Sequence, residues 1–233
     1  MKIMLVICSH RALAIESETA QSGILTTIPP GVELMKCVGL EASIAKSRSY
    51  WTTIFYDKYK DYDILSFVDD DMIFSPQDYW KLIRICDLNK CVVGAPYMAR
   101  KFPPKAIVSK EGGFYFNRGI IEVDGVGTGF FAVHRNVLKS FVEDPAIQKV
   151  DTGKILDGQK IQVYYPTFAE IVVNNVWLSE DYGFCYNAKR YNHKILADTD
   201  MDLGHVGTYV YTKKDLLLYQ NNKELIEEIG VKK

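Results

Sequence analysis

The sequence predicts an α/β chain in which a mostly parallel central sheet with flanking helices is followed by a smaller, mixed α/β C-terminal half. Three observations predict it. Ile3 to Cys8 and Ile64 to Val68 are continuous apolar runs, the pattern of strands buried on both faces of a parallel sheet. Helical periodicity separates such runs up to Ala95. Beyond Pro96 the chain changes to short β-like pieces broken by glycines.

In chain order, the first strand ends in Ser9-His10-Arg11, and a second run from Val32 to Val38 follows the turn signal Pro29-Pro30-Gly31. Ile44, Arg48, Trp51, Ile54, Phe55 and Tyr59 recur at three- and four-residue steps, a helix with one apolar stripe on which Arg48 is out of place. The third strand, Ile64 to Val68, runs straight into Asp69-Asp70-Asp71. Ser75 as N-cap, Pro76 at the first helical position and Asp78 behind it open a helix that turns Tyr79, Leu82, Ile83 and Cys86 inward. Cys91 to Ala95 is the next buried strand. After it, Ala106 to Val108, Phe114 to Phe116 and Ile120 to Val123, parted by Gly112-Gly113 and Asn117-Arg118-Gly119, read as hairpins. Arg135 to Val142, Glu180 to Tyr191 and Lys213 to Ile229 read as helices, and Glu143 to Gln159 as a polar loop. No linker interrupts residues 1–233, so one domain is expected.

Composition removes several functions. With 28 Lys+Arg against 29 Asp+Glu the net charge is -1, without the basic excess that phosphate-tracking proteins carry, so no nucleic-acid partner is expected. A chain that is 48% hydrophobic is not a disordered acidic one. Cys8, Cys37, Cys86, Cys91 and Cys185 form no CxxC pair, which argues for free thiols in a reducing compartment. The apolar run at Ile3 to Cys8 is too short for a signal-peptide core, and no stretch approaches a membrane span. The expected location is the cytoplasm, a host's cytoplasm if the chain is viral.

The Asp triplet is the most telling feature. Side chains alternate along a strand, which would put Asp69 and Asp71 on one side and Asp70 on the other. They stand at the carboxyl end of a buried parallel strand, where open α/β sheets bind ligands. Adjacent carboxylates repel by roughly 1–4 kcal/mol per close pair, so a hard divalent cation such as Mg2+ or Mn2+ is the fitting neutraliser. The plainer reading is a solvated turn with an Asp capping the next helix, a task Ser75 already performs. The residues after Asp71 do not make a calcium loop. The glycine-dense Gly125 to Phe131 is either a tight, close-packed turn or a substrate-lining loop. Glu180-Asp181 is either a pair of helix-dipole partners or a functional pair, and His205 between Gly204 and Gly207 is either a packed turn residue or a ligand. Tyr97, Tyr115, Phe130, Phe131, Trp177 and Tyr182 are candidates for stacking on sugar rings, with core packing the alternative for both phenylalanines. Lys101 and Lys105 flank Pro103-Pro104 in a mobile or a surface turn.

Taken together, Asp69-Asp70-Asp71, Val126-Gly127-Thr128-Gly129-Phe130, Glu180-Asp181-Tyr182-Gly183-Phe184-Cys185 and Leu203-Gly204-His205-Val206-Gly207 resemble, in order and spacing, the DxD-containing GT-A-fold glycosyltransferases. The likeness is to small family-2-like bacterial and large-virus or phage enzymes and runs from Ile3 to about Tyr211. It implies a UDP- or GDP-sugar donor, a glycan or glycoprotein hydroxyl as acceptor, Mn2+ or Mg2+ as cofactor, and inversion at the anomeric carbon. It further implies a nucleotide-sugar half up to about residue 100 and an acceptor half beyond it. Ser9, His10, Arg11, Arg48, Asp69 and Asp70 would contact the donor, although Ser47-Arg48-Ser49 departs from the commoner Ala-Arg-Asn. Asp69, Asp71 and His205 would hold the cation. Gly127, Thr128, Gly129 and Glu180 would line the sugar and acceptor pocket, and Asp181 would be the general base. Two other functions share parts of this pattern. A sugar-phosphate nucleotidyltransferase would want a glycine-rich basic loop after the first strand, and Ser9-His10-Arg11-Ala12 has no glycine. A non-catalytic nucleotide- or glycan-binding module would keep the fold without turnover.

Overall fold

A computed structural model of the protein describes residues 1–9, 14–39, 43–151, 155–156, 159–160 and 163–221. The first half contains β1 (Lys2–Cys8), α1 (Ile15–Thr26), β2 (Glu33–Gly39), α2 (Ile44–Lys58), β3 (Ile64–Asp69), β4 (Met72–Ile73), α3 (Pro76–Asn89) and β5 (Val92–Gly94). There follow β6 (Val108–Ser109), β7 (Ile120–Glu122), β8 (Gly125–Val126), β9 (Phe130–His134) and α4 (Arg135–Glu143). Short strands β10 (Val150–Asp151), β11 (Ile155–Leu156), β12 (Gln159–Lys160) and β13 (Val163–Tyr164) lead to the hairpin β14 (Ile171–Val173) and β15 (Val176–Leu178). The chain continues through α5 (Glu180–Arg190), β16 (Ile195–Asp198), β17 (Gly204–Val206), β18 (Val210–Tyr211) and α6 (Lys213–Asn221).

The main sheet has seven strands in the order β2-β1-β3-β9-β5-β16-β7. β1 pairs in parallel with β2 and β3, and β5 with β16, while β9 and β7 run antiparallel to their neighbours. Alternation along β1 explains its unbroken apolar run. Ile3, Leu5 and Ile7 enter one buried layer with Ile24 of α1 and Tyr79 and Leu82 of α3. Met4, Val6 and Cys8 enter the opposite layer with Phe55 of α2, Phe141 of α4 and Phe184 of α5. A strand covered on both faces needs apolar side chains at every position.

Several expectations change. β9 is a buried central strand inserted between β3 and β5, where the sequence read a glycine-dense loop passing into Ala132. The segments at residues 106–123 are not hairpins with one another. β6 pairs with β8, β7 pairs with β16, and Phe114 to Phe116 is not a strand. The stretch read as a loop at residues 143–159 contains the short strands β10 and β11, which pair with β13 and β12. α1 carries no apolar stripe to announce it, because its buried face is Ser17, Ala20, Gln21 and Ile24. The terminal helix is described only to Asn221, and its expected continuation to Ile229 lies outside the described residues.

This topology brings distant segments to one sheet end. Val68 lies opposite Phe130, so the Asp69 N–H bonds the Gly129 carbonyl at 3.0 Å. β17 pairs with β4 and places His205 opposite Met72, with the Val206 N–H on the Asp71 carbonyl at 2.8 Å.

Candidate active site

β3 ends at Asp69 and the chain turns through Asp70 and Asp71 before β4, so the alternation expected of an extended strand does not hold. Instead each carboxylate has its own partner. Asp69 Oδ1 accepts from Arg48 Nη2 at 2.7 Å. Asp70 Oδ2 accepts from Ser9 Oγ at 2.7 Å. Asp71 Oδ2 accepts from Arg100 Nη1 at 2.5 Å. Its other oxygen, Oδ1, lies 3.3 Å from His205 Nε2, an ion pair when the imidazole is protonated. Oδ1 is buried without a hydrogen-bond partner among the described residues. Burial pushes the Asp71 carboxyl up, but His205 and Arg100 outweigh it and hold the group below the usual aspartate range. His205 Nδ1 is 2.7 Å from the Met98 carbonyl, which can only accept, so Nδ1 carries the hydrogen and Nε2 is turned toward Asp71.

Arg48 is resolved by the tertiary structure. Only 3% exposed, it spans from β3 to the start of α5, with Nη1 on Glu180 Oε1 at 2.9 Å and Nη2 on Asp69. Burial raises the Glu180 carboxyl above the usual glutamate range, with Arg48 opposing. Asp181 Oδ1 accepts the Tyr182 N–H at 2.8 Å and the Ser179 hydroxyl, so this oxygen partners its own helix start. The glycines before β9 are there for closeness: a Cβ at Gly127 or Gly129 would stand 2.6 or 2.8 Å from the Tyr97 hydroxyl. That hydroxyl accepts the Gly129 N–H at 3.1 Å. Thr128 between them is buried, and its Oγ1 has no partner among the described residues.

These groups surround a cavity of about 220 Å3. Its wall includes Asp69, Asp70, Asp71, Glu180 and Asp181, five carboxylates against the two guanidiniums of Arg48 and Arg100. Among the described residues the lining is therefore richer in carboxylates than in guanidiniums, which in a confined space favours a cation. The expected ligand set of Asp69, Asp71 and His205 is not drawn together, because Asp69 is turned to Arg48. Among the described residues no group of three or more His, Cys, Asp or Glu side chains is gathered for a metal. Asp71 and His205 remain as an adjacent pair.

Ser9, Arg48, Asp69, Asp70, Asp71, Thr128, Glu180, Asp181 and His205 thus converge, directly or through one partner, while His10 and Arg11 lie outside the described residues. Sequence reasoning missed Arg100, which stands beside Lys101 in what reads as a surface turn, and the packing role of Tyr97. Phe130 and Phe131 are core, and Tyr115 and Trp177 are exposed.

Among solved structures, A197 from STIV matches with a TM-score of 0.56 at 17% identity, covering 89% of this chain and 86% of that one. A likeness at this identity shows a shared fold. A glycosyltransferase involved in the glycosylation of the major capsid of PBCV-1 matches at a TM-score of 0.34 and 15% identity, over 61% of this chain and 68% of that one, too distant to carry an argument. No protein-family model matches the sequence, and no curated protein does. The architecture is the GT-A-like α/β fold expected from the sequence. No helix among the described residues is long and apolar enough to cross a membrane.

Proposed function

We propose that the protein is a cation-dependent glycosyltransferase that moves a sugar from a UDP- or GDP-sugar to a hydroxyl of a glycan or glycoprotein, with inversion. One observation carries this reading: Asp71 Oδ1, buried and without a hydrogen-bond partner among the described residues, beside His205 Nε2 in a carboxylate-rich cavity at the end of β3. A carboxylate oxygen and an imidazole nitrogen 3.3 Å apart are donors of the kind that would suit such a cation. The His205 ring is also held through its other nitrogen by a backbone carbonyl, as metal-bound histidines usually are. Asp71 and His205 would therefore hold Mn2+ or Mg2+, which supplies Lewis-acid stabilisation of the charge developing on a leaving diphosphate.

The chain's own residues account for the rest. Arg48 holds Asp69 at the donor side and Glu180 at the acceptor side, fixing the width of the cavity. Thr128, between the close-packed Gly127 and Gly129, offers to the sugar a hydroxyl that has no partner among the described residues. Asp181 lines the cavity with Oδ1 occupied by its own helix start, and its other oxygen would act on the acceptor as general base. The acceptor oxygen bonds to the anomeric carbon as the bond to the diphosphate breaks; the electron pair leaves with the diphosphate, and the acceptor proton passes to Asp181. Five free cysteines support a cytoplasmic setting.

The test is a panel of UDP- and GDP-sugars incubated with Mn2+, Mg2+ or EDTA, reading slow donor hydrolysis. One donor should turn over with metal and not with EDTA, and Asp71→Ala should lose that turnover. Metal-indifferent turnover, or an Asp71→Ala variant as active as wild type, would sink the proposal.

A further inference from the structure

We infer that Arg100 is the anion contact of the cavity, the group that meets a donor's diphosphate whether or not a cation is present. This rests on the nucleotide-sugar reading above and assigns one part of it to a named side chain. Two guanidiniums line the cavity among the described residues, and they are not equivalent. Arg48 is buried and spends both terminal nitrogens on Asp69 and Glu180. Arg100 is 50% exposed, and among the described residues one of its N–H groups is engaged, on Asp71. The remaining donors of its planar fork are the type that grips phosphate oxygens in pairs.

Its position is built rather than incidental. The stem lies against Gly207, where a Cβ would stand 3.1 Å from Cδ and 3.3 Å from Cγ of Arg100. The loop that carries it is closed at the base by the Met98–Ala106 bridge, the Ala99 N–H on Lys105 O at 2.8 Å and the Ile107 N–H on Tyr97 O at 2.8 Å. The same loop supplies the Met98 carbonyl that orients His205. One segment therefore sets the imidazole on one side of Asp71 and the guanidinium on the other. An anion entering a cavity walled by five carboxylates needs a positive group there, and an ion pair whose arginine is 50% exposed can be shared or re-made with phosphate oxygens.

The experiment measures binding of UDP, GDP and the matching nucleosides by calorimetry, in EDTA and in Mn2+, to the wild type, Arg100→Gln and Arg100→Lys. In EDTA, Arg100→Gln should bind the preferred diphosphate roughly 10- to 100-fold more weakly while its nucleoside affinity is unchanged. Arg100→Lys should recover part of the loss. Equal diphosphate affinity in wild type and Arg100→Gln would overturn the assignment, as would an equal loss for nucleoside and diphosphate, which would mean a disturbed loop. A wild type that binds neither diphosphate, with or without Mn2+, would overturn the nucleotide-sugar reading itself.

Discussion

Arg48 ties together three parts of the chain through one buried side chain, and its energetics are testable without knowing the substrate. Arg48→Met leaves Asp69 and Glu180 in the same cavity without their shared counter-charge, and breaking a buried pair of this kind costs about 3 kcal/mol. Urea unfolding should show that loss. Glu180 gives the complementary pH signature. Its folded pKa is raised, so the fold favours the protonated form. The contribution is present below the ordinary glutamate value and is lost as pH rises through the raised one. Glu180→Gln should therefore gain on wild type as pH rises through that window, in urea titrations run at a series of pH values; a constant difference would contradict it. At this scale the sequence was partly legible. An arginine on an apolar stripe is a visible conflict, and it marked a buried charge. Arg100 gave no such signal, since nothing local separates an arginine reaching back to Asp71 from its solvated neighbour Lys101.

At the scale of elements, the start of α5 shows how close packing positions chemistry. Gly183 sits where a Cβ would be 2.4 Å from the Ala169 carbonyl oxygen, a backbone atom with little freedom to yield. Gly183→Ala should cost roughly 1–3 kcal/mol and move Glu180 and Asp181 relative to β3, so that turnover falls more than nucleotide affinity. Thermal melts and nucleotide binding check the two halves of that statement. α2, α3, α4 and α5 were readable because each carries a cap signal or an apolar stripe. α1 was not, because it buries Ser17, Ala20 and Gln21 against its neighbours. β9 was hidden by the glycines that precede it, although those glycines exist to let Tyr97 approach.

At the scale of the whole molecule, cation binding and stability are linked. A cation that binds only the folded chain adds about 2.7 kcal/mol at a hundredfold excess over Kd, a rise of roughly 5–10 °C in Tm for a chain of this size. Mn2+ should produce such a shift, EDTA should reverse it, and Asp71→Asn should abolish it. The sequence by itself determined the layered α/β class, since continuous apolar runs can be buried only in a sheet covered on both faces, and it placed three carboxylates at the end of a strand. Only the tertiary structure decided which partner each carboxylate takes. Those partners, Arg48, Arg100, Ser9 and His205, come from segments 21, 29, 61 and more than a hundred residues away, and pairing across such distances is set by sheet order, which leaves no mark on the local pattern.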